Sequence, residues 1–88
     1  MARVEIYATM FCPYCVRAKN LLEKKGVPYV NIDVIEHSDK RDEMVKRSGG
    51  RQTVPQIFID DEHIGGSDDL YALERAGKLD AKLRIAPS

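Results

Sequence analysis

Val4-Glu5-Ile6-Tyr7-Ala8 alternates apolar and mixed positions with a period of two and is rich in β-branched and aromatic side chains, which predicts a strand. From Pro13 the spacing turns helical. Val16, Leu21 and Leu22 share one face, and Arg17, Lys19, Glu23 and Lys24 another. Gly26 followed by Pro28 stops that helix. Val27 to Val34, carried by Val30, Ile32 and Val34, predicts a second strand. Strand, helix and strand over about thirty residues form a βαβ unit, whose crossover is right-handed and whose strands are parallel.

Further along, Ser38 stands as N-cap of a second helix through Asp42, Met44 and Val45, stopped by Ser48-Gly49-Gly50. Gln56-Ile57-Phe58-Ile59-Asp60 is a third strand, and the turn Asp60-Asp61-Glu62 returns the chain through His63-Ile64 as a hairpin. Gly65-Gly66 breaks the hairpin and Ser67 caps a third helix. Asp68 and Asp69 in its first turn complement the helix dipole. Leu70, Leu73 and Ala76 form that helix's buried stripe, Gly77 its C-cap, and Leu79 to Ile85 adds a last helical turn.

At 88 residues, 43% of them hydrophobic and 32% charged, the chain predicts one domain spanning residues 1–88. A domain of this size buries ~60–65% of its unfolded surface, which closes one core and leaves little room for an internal cavity. Substrates are therefore met at the surface. Fourteen basic and 14 acidic residues cancel, which removes the electrostatic case for nucleic acid or an anionic membrane. No apolar stretch approaches the length of a secretory signal or a membrane span, so the expected location is the cytoplasm. Thiols stay reduced there, and a cysteine pair reads as catalytic or metal-binding rather than as a crosslink. A bridge between Cys12 and Cys15 would also close a loop too small to stabilise the fold much.

The main chemical signal is Cys12-Pro13-Tyr14-Cys15, set where a strand ends and a helix begins. A helix start carries unpaired N–H groups and partial positive charge, so a thiolate at the N-cap is stabilised, and Cys12 is the candidate nucleophile. Pro13 suits the first helical position, where no N–H is required. Cys15 lies one turn further on the same face, placed to attack a mixed disulfide at Cys12. Zinc is the competing reading of a C-x-x-C pair. It calls for four ligands, and only His37 and His63 remain, on a loop and an edge strand where both read as surface residues.

Three motifs in order, Cys12-Pro13-Tyr14-Cys15, Thr53-Val54-Pro55 and Gly65-Gly66-Ser67-Asp68, resemble those of glutaredoxins. Thioredoxins share the fold but carry Trp-Cys-Gly-Pro-Cys, and this chain has no tryptophan. The resemblance implies an α/β thioredoxin fold in the order βαβαββα, a four-stranded mixed sheet with helices on both faces. It also implies a glutathione-dependent reductant of protein disulfides and protein–glutathione mixed disulfides, with ribonucleotide reductase among the family's clients. No metal, nucleic acid or membrane partner is expected, and the chain is expected to act as a monomer.

Each motif has its own physical reading. An X-Pro bond such as Val54-Pro55, just ahead of a strand, is a natural place for a cis peptide, and in the family that proline is cis. The turn leaves the Val54 backbone free to pair with an extended peptide such as glutathione; a trans proline opening an edge strand is the plainer alternative. Gly65 and Gly66 admit a close ligand, and the N–H groups of Ser67 and Asp68 form an anion site at a helix start. In glutaredoxins that site takes the γ-glutamyl carboxylate, with the acidic residue facing its ammonium; a simple turn and cap accounts for the same residues. Tyr14 either flanks the reactive sulfur or packs. Arg51 is the candidate for the glycine carboxylate of glutathione, and Arg41, which reads more readily as a solvated charge, a second one.

One departure is visible. Many glutaredoxins have a lysine about three residues before the first cysteine, and here the stretch is Ala8-Thr9-Met10-Phe11. Two rival readings of the same cysteines are an iron–sulfur carrier, in which two protomers share a cluster through Cys12 and bound glutathione, and a glutaredoxin-like protein reduced by thioredoxin reductase. Cluster carriers usually have a single-cysteine motif, which Pro13 and Cys15 depart from.

Overall fold

The computed structural model describes residues 2–85. Its strands are β1 (Val4–Ala8), β2 (Val30–Asp33), β3 (Gln56–Ile59) and β4 (Glu62–Gly65), and its helices α1 (Pro13–Lys24), α2 (Ser38–Arg47), α3 (Ser67–Arg75) and α4 (Leu79–Leu83). The sheet runs β2-β1-β3-β4. β1 and β2 are parallel, as a βαβ unit requires, and the other two pairings are antiparallel. Asp60 and Asp61, both at positive φ, make the tight β3–β4 turn.

Period-two alternation sorts the central strands between two cores. Val4, Ile6 and Ala8 of β1, with Ile57 and Ile59 of β3, face Ala18, Leu22, Leu70, Leu79 and Leu83 of α1, α3 and α4. Tyr7 and Phe58 face the other way, onto Val34 and Met44. Their rings meet edge to face at 5.7 Å. Helices therefore cover both faces of a four-stranded mixed sheet, the thioredoxin-type arrangement.

Polar ties hold the helices in place. On the α2 face, the Arg47 guanidinium donates to both carboxylate oxygens of buried Glu5 (3.1 and 3.2 Å) and to the Tyr7 hydroxyl at 2.8 Å, and lies 4.1 Å from the Phe58 ring centroid. Tyr7 in turn donates to Glu43. On the opposite face Lys25, just past α1, bridges Glu74 of α3 and Asp80 of α4 at 2.8 Å each.

Several local expectations shift. Val16 is half exposed: the buried stripe of α1 is Cys15, Ala18, Leu21 and Leu22, and Val16 lies one position off it. β2 is only four residues long. Ser38 is the first residue of α2, not its cap; the N-cap is His37, without a side-chain hydrogen bond. The turn before it is organised by the Asp33 carboxylate, which accepts from the N–H groups of Ile35 and Glu36. Ser67 likewise is the first residue of α3, and Gly66 is the N-cap. Ala76 ends α3 as an exposed C-cap rather than extending its buried stripe. His63 is not a surface residue but half-buried, its ring 5.1 Å from that of Phe58.

Candidate active site

β1 delivers the chain to the cysteines and α1 begins immediately after them. Cys12 is the N-cap, with extended backbone, and Pro13 is the first helical residue. The Cys15 N–H donates to Cys12 Sγ at 3.3 Å, so a helix-start donor is aimed at the sulfur. Cys12 is partly exposed, while Cys15 is buried at 1% exposure. Burial pushes the Cys15 thiol up to about 12, and its hydrogen bond with Cys12 adds to the rise. The sulfurs are thus unequal: one at an open helix start, the other a buried neutral thiol a turn away.

The Val54-Pro55 peptide bond is cis. Its turn brings the Val54 carbonyl to 3.9 Å from Cys12 Sγ, and among the described residues the Val54 N–H has no backbone partner. Beside this turn opens a pocket of about 160 Å³ lined by Tyr14, Arg51, Thr53, Val54, Pro55, Gly66, Ser67, Asp68 and Asp69. The candidate residues of three separate motifs, together with Arg51, therefore meet around one concavity next to the cysteines. Tyr14 is exposed there rather than packed in the core. Ser67 Oγ is buried with no hydrogen-bond partner among the described residues, at the start of α3 where backbone N–H groups are also free.

Asp69 is the member of this pocket that the motifs leave without a role there. Its carboxylate accepts from the Gly66 N–H at 2.9 Å and lies 3.9 Å from Arg51 Nη2, so it caps α3 and holds the arginine at the rim. An acid three residues after the N-cap is the capping signature that identifies it. Gly65, at φ +117, is the glycine this geometry demands, because a Cβ there would run into the Asp69 carboxylate. Arg41 is elsewhere: it donates to the Gln52 carbonyl at 3.2 Å and lines a different groove with Asp42, Val45 and Lys46. Thr9, Met10 and Phe11 line another, apolar groove with Asp33, Ile35 and Glu36, and Phe11 is 93% exposed. Among the described residues, no group of three or more His, Cys, Asp or Glu is placed to hold a metal ion, and no helix is long and apolar enough to cross a membrane.

A C-x-x-C dithiol at a strand–helix junction, facing a cis-proline turn on a mixed sheet covered on both sides, defines a thiol–disulfide oxidoreductase of the thioredoxin fold. The glutaredoxin family model matches residues 4–64. Glutaredoxin 3 of Escherichia coli (strain K12) is 58% identical over 84 residues, covering 96% of this chain and all of the relative. The glutaredoxin of Pseudomonas aeruginosa is 53% identical over 83 residues, covering 94% of this chain and 98% of the relative. Among solved structures, the buckwheat glutaredoxin–glutathione complex superimposes with a TM-score of 0.86 at 32% identity, over 97% of this chain and 83% of that one. The solution structure of glutaredoxin from Brucella melitensis gives 0.83 at 51% identity, over 100% and 95%. The chain belongs to the glutaredoxin family, and is an enzyme, a glutathione-dependent thiol–disulfide oxidoreductase.

Proposed function

We propose that Cys12 is the nucleophile, Cys15 the resolving thiol, and the adjoining pocket the seat of the glutathione from which this chain draws its electrons. What supports the reading is the position of that pocket: Val54, one of its walls, carries the carbonyl 3.9 Å from Cys12 Sγ. Glutathione is a short extended peptide with a carboxylate at each end and an ammonium at one. The free Val54 N–H suits its backbone, the start of α3 with the unpartnered Ser67 hydroxyl suits the γ-glutamyl carboxylate, and Asp68 suits the ammonium. Arg51 suits the glycine carboxylate, and Tyr14 flanks the sulfur. The buckwheat glutaredoxin structure is a complex with glutathione.

On a protein–glutathione mixed disulfide, the Cys12 thiolate attacks the glutathionyl sulfur, the client thiolate leaves and takes up a proton, and Cys12 carries glutathione. A second glutathione thiolate then attacks the glutathione sulfur, releasing glutathione disulfide and restoring Cys12. On a protein disulfide, attack by Cys12 joins enzyme to client. Cys15 loses its proton and attacks the Cys12 sulfur, the reduced client departs, and two glutathiones reopen the Cys12–Cys15 bridge. On this reading the 88 residues act as one monomeric domain in the cytoplasm, serving disulfide-bearing and glutathionylated clients, among which the family resemblance suggests ribonucleotide reductase.

The deciding experiment is turnover coupled either to glutathione with glutathione reductase or to thioredoxin reductase. Glutathione should sustain the reaction; turnover with thioredoxin reductase alone would replace this donor assignment. Asp68→Ala should raise the KM for a glutathionylated peptide several-fold with the melting temperature unchanged, as steady-state kinetics and a thermal scan will report. An unchanged KM removes Asp68 from the site.

A further inference from the structure

Gln56 opens β3 directly after the cis proline, and its side chain is fully buried, on the same face of the strand as Phe58. A buried amide needs all its hydrogen bonds, and the geometry supplies them. Nε2 donates to the Thr53 carbonyl at 3.0 Å and to the Thr53 hydroxyl at 3.2 Å. Oε1 lies 2.7 Å from His63 Nε2 on β4. Both amide hydrogens are committed to Thr53, and reversing the amide would turn its oxygen onto the Thr53 carbonyl. Oε1 is therefore the acceptor and His63 Nε2 carries the proton. Burial, then the positive charge of Arg51, holds the His63 pKa below the usual histidine value against the opposing effect of Asp69, so the ring is neutral at pH 7.

Thr53 lines the glutathione pocket and is exposed, yet its carbonyl and hydroxyl are both held from behind. We infer that Gln56 and His63 are positioning residues for glutathione: His63 orients the Gln56 amide, and the amide fixes Thr53 so that the Thr53–Val54 backbone presents a set edge to the ligand. This rests on the pocket being the glutathione site. Neither residue lines the pocket, so the pair acts on ligand binding through Thr53 and leaves the sulfur chemistry alone.

The test uses three variants of the full chain. His63→Phe keeps an aromatic ring on Phe58 and removes the donor to Gln56, Gln56→Leu removes the amide at similar volume, and the third combines both. Steady-state kinetics with a glutathionylated peptide, alkylation of Cys12 by iodoacetamide, and a thermal scan are measured together. His63→Phe should raise KM about fivefold, the effect of one lost hydrogen bond, with kcat and the alkylation rate within about twofold of wild type. Because the two side chains act in series, the double variant should be no worse than Gln56→Leu alone. An unchanged KM in folded His63→Phe overturns the inference, and so does an alkylation rate that falls in step with activity. If Gln56→Leu fails to fold, His63→Phe alone decides between these outcomes, with Thr53→Val expected to reproduce part of its KM rise. Asp68→Ala separates the two levels: a raised KM there beside a normal one in His63→Phe rejects the relay and leaves the glutathione site standing.

Discussion

The two cysteines share a helix turn but have opposite surroundings, and that difference orders the chemistry. Cys12 receives a backbone N–H and stands at the opening, whereas Cys15 is buried and held at about 12. Iodoacetamide at neutral pH should therefore modify Cys12 first, and peptide mapping should find Cys15 spared; equal labelling would remove the asymmetry. The same difference fixes a pH dependence. A raised pKa means Cys15 is protonated near neutrality and gains thiolate as pH rises, about tenfold per unit below its pKa. Once Cys12 is tied up in a disulfide its contribution to the shift is gone, but burial, the largest cause, remains. Release of a client from Cys12 should thus accelerate from about pH 7 to about pH 9 without levelling, as rapid-quench measurement of the mixed disulfide will show. A plateau near neutrality would mean Cys15 is activated by something other than hydroxide.

At the scale of elements, the β4–α3 junction depends on one glycine far more than on its neighbour. Gly65 has φ +117 and no room for a Cβ beside Asp69, whereas a Cβ on Gly66 would meet only the Pro55 carbonyl at 3.5 Å, an ordinary contact. Gly65→Ala should cost roughly 2–3 kcal/mol in urea unfolding, and Gly66→Ala less than about 1. The tie between α2 and the sheet predicts a second effect. Arg47→Met leaves the Glu5 carboxylate buried without its bidentate partner and should cost about 3 kcal/mol, while Glu5→Leu combined with Arg47→Met should recover most of it. Equal stability of the single and double variants would mean the desolvated carboxylate is not the cause. These junctions also mark where reading the chain stops short. The succession of elements along the chain, the βαβ unit and the hairpin follow from periodicity and turn residues, which are local, whereas the sheet order β2-β1-β3-β4 rests on pairing between distant segments. The cap of α3 does not, because Gly66 takes the position expected of Ser67 once the Asp69 carboxylate reaches back to its N–H. Nor does the exposure of Val16, whose apolar character carries no information about where the sheet ends. Gln56 and His63 lie seven residues apart and are joined only by strand pairing, so no motif contains them.

At the scale of the whole molecule, the pocket exists only when distant segments come together: the start of α1, the turn at residues 51–55 and the start of α3. Tyr14, Thr53, Val54, Pro55, Gly66, Ser67 and Asp68 can each be named from the sequence because their motifs are short and ordered, and Arg51 because it stands just ahead of one of them. That they line one pocket, with the Val54 carbonyl 3.9 Å from Cys12 Sγ, is a property of the fold. On the roles proposed for Cys12 and Cys15, two reactions begin at the same sulfur and then part. With a glutathionylated client, the leaving client needs nothing further, and a second glutathione frees Cys12, so Cys15→Ser should retain most of that activity. With an intramolecular protein disulfide, the first attack leaves enzyme and client covalently joined. Release then depends on a thiol one helical turn away, whose effective concentration far exceeds that of free glutathione. Cys15→Ser should slow this second reaction by about a hundredfold or more. It should also trap a complex of enzyme plus client on a non-reducing gel, one that thiol treatment dissolves. Comparable loss of both activities would give Cys15 a part in the first attack, and the burial and raised pKa of its thiol would then have to be explained by that role instead.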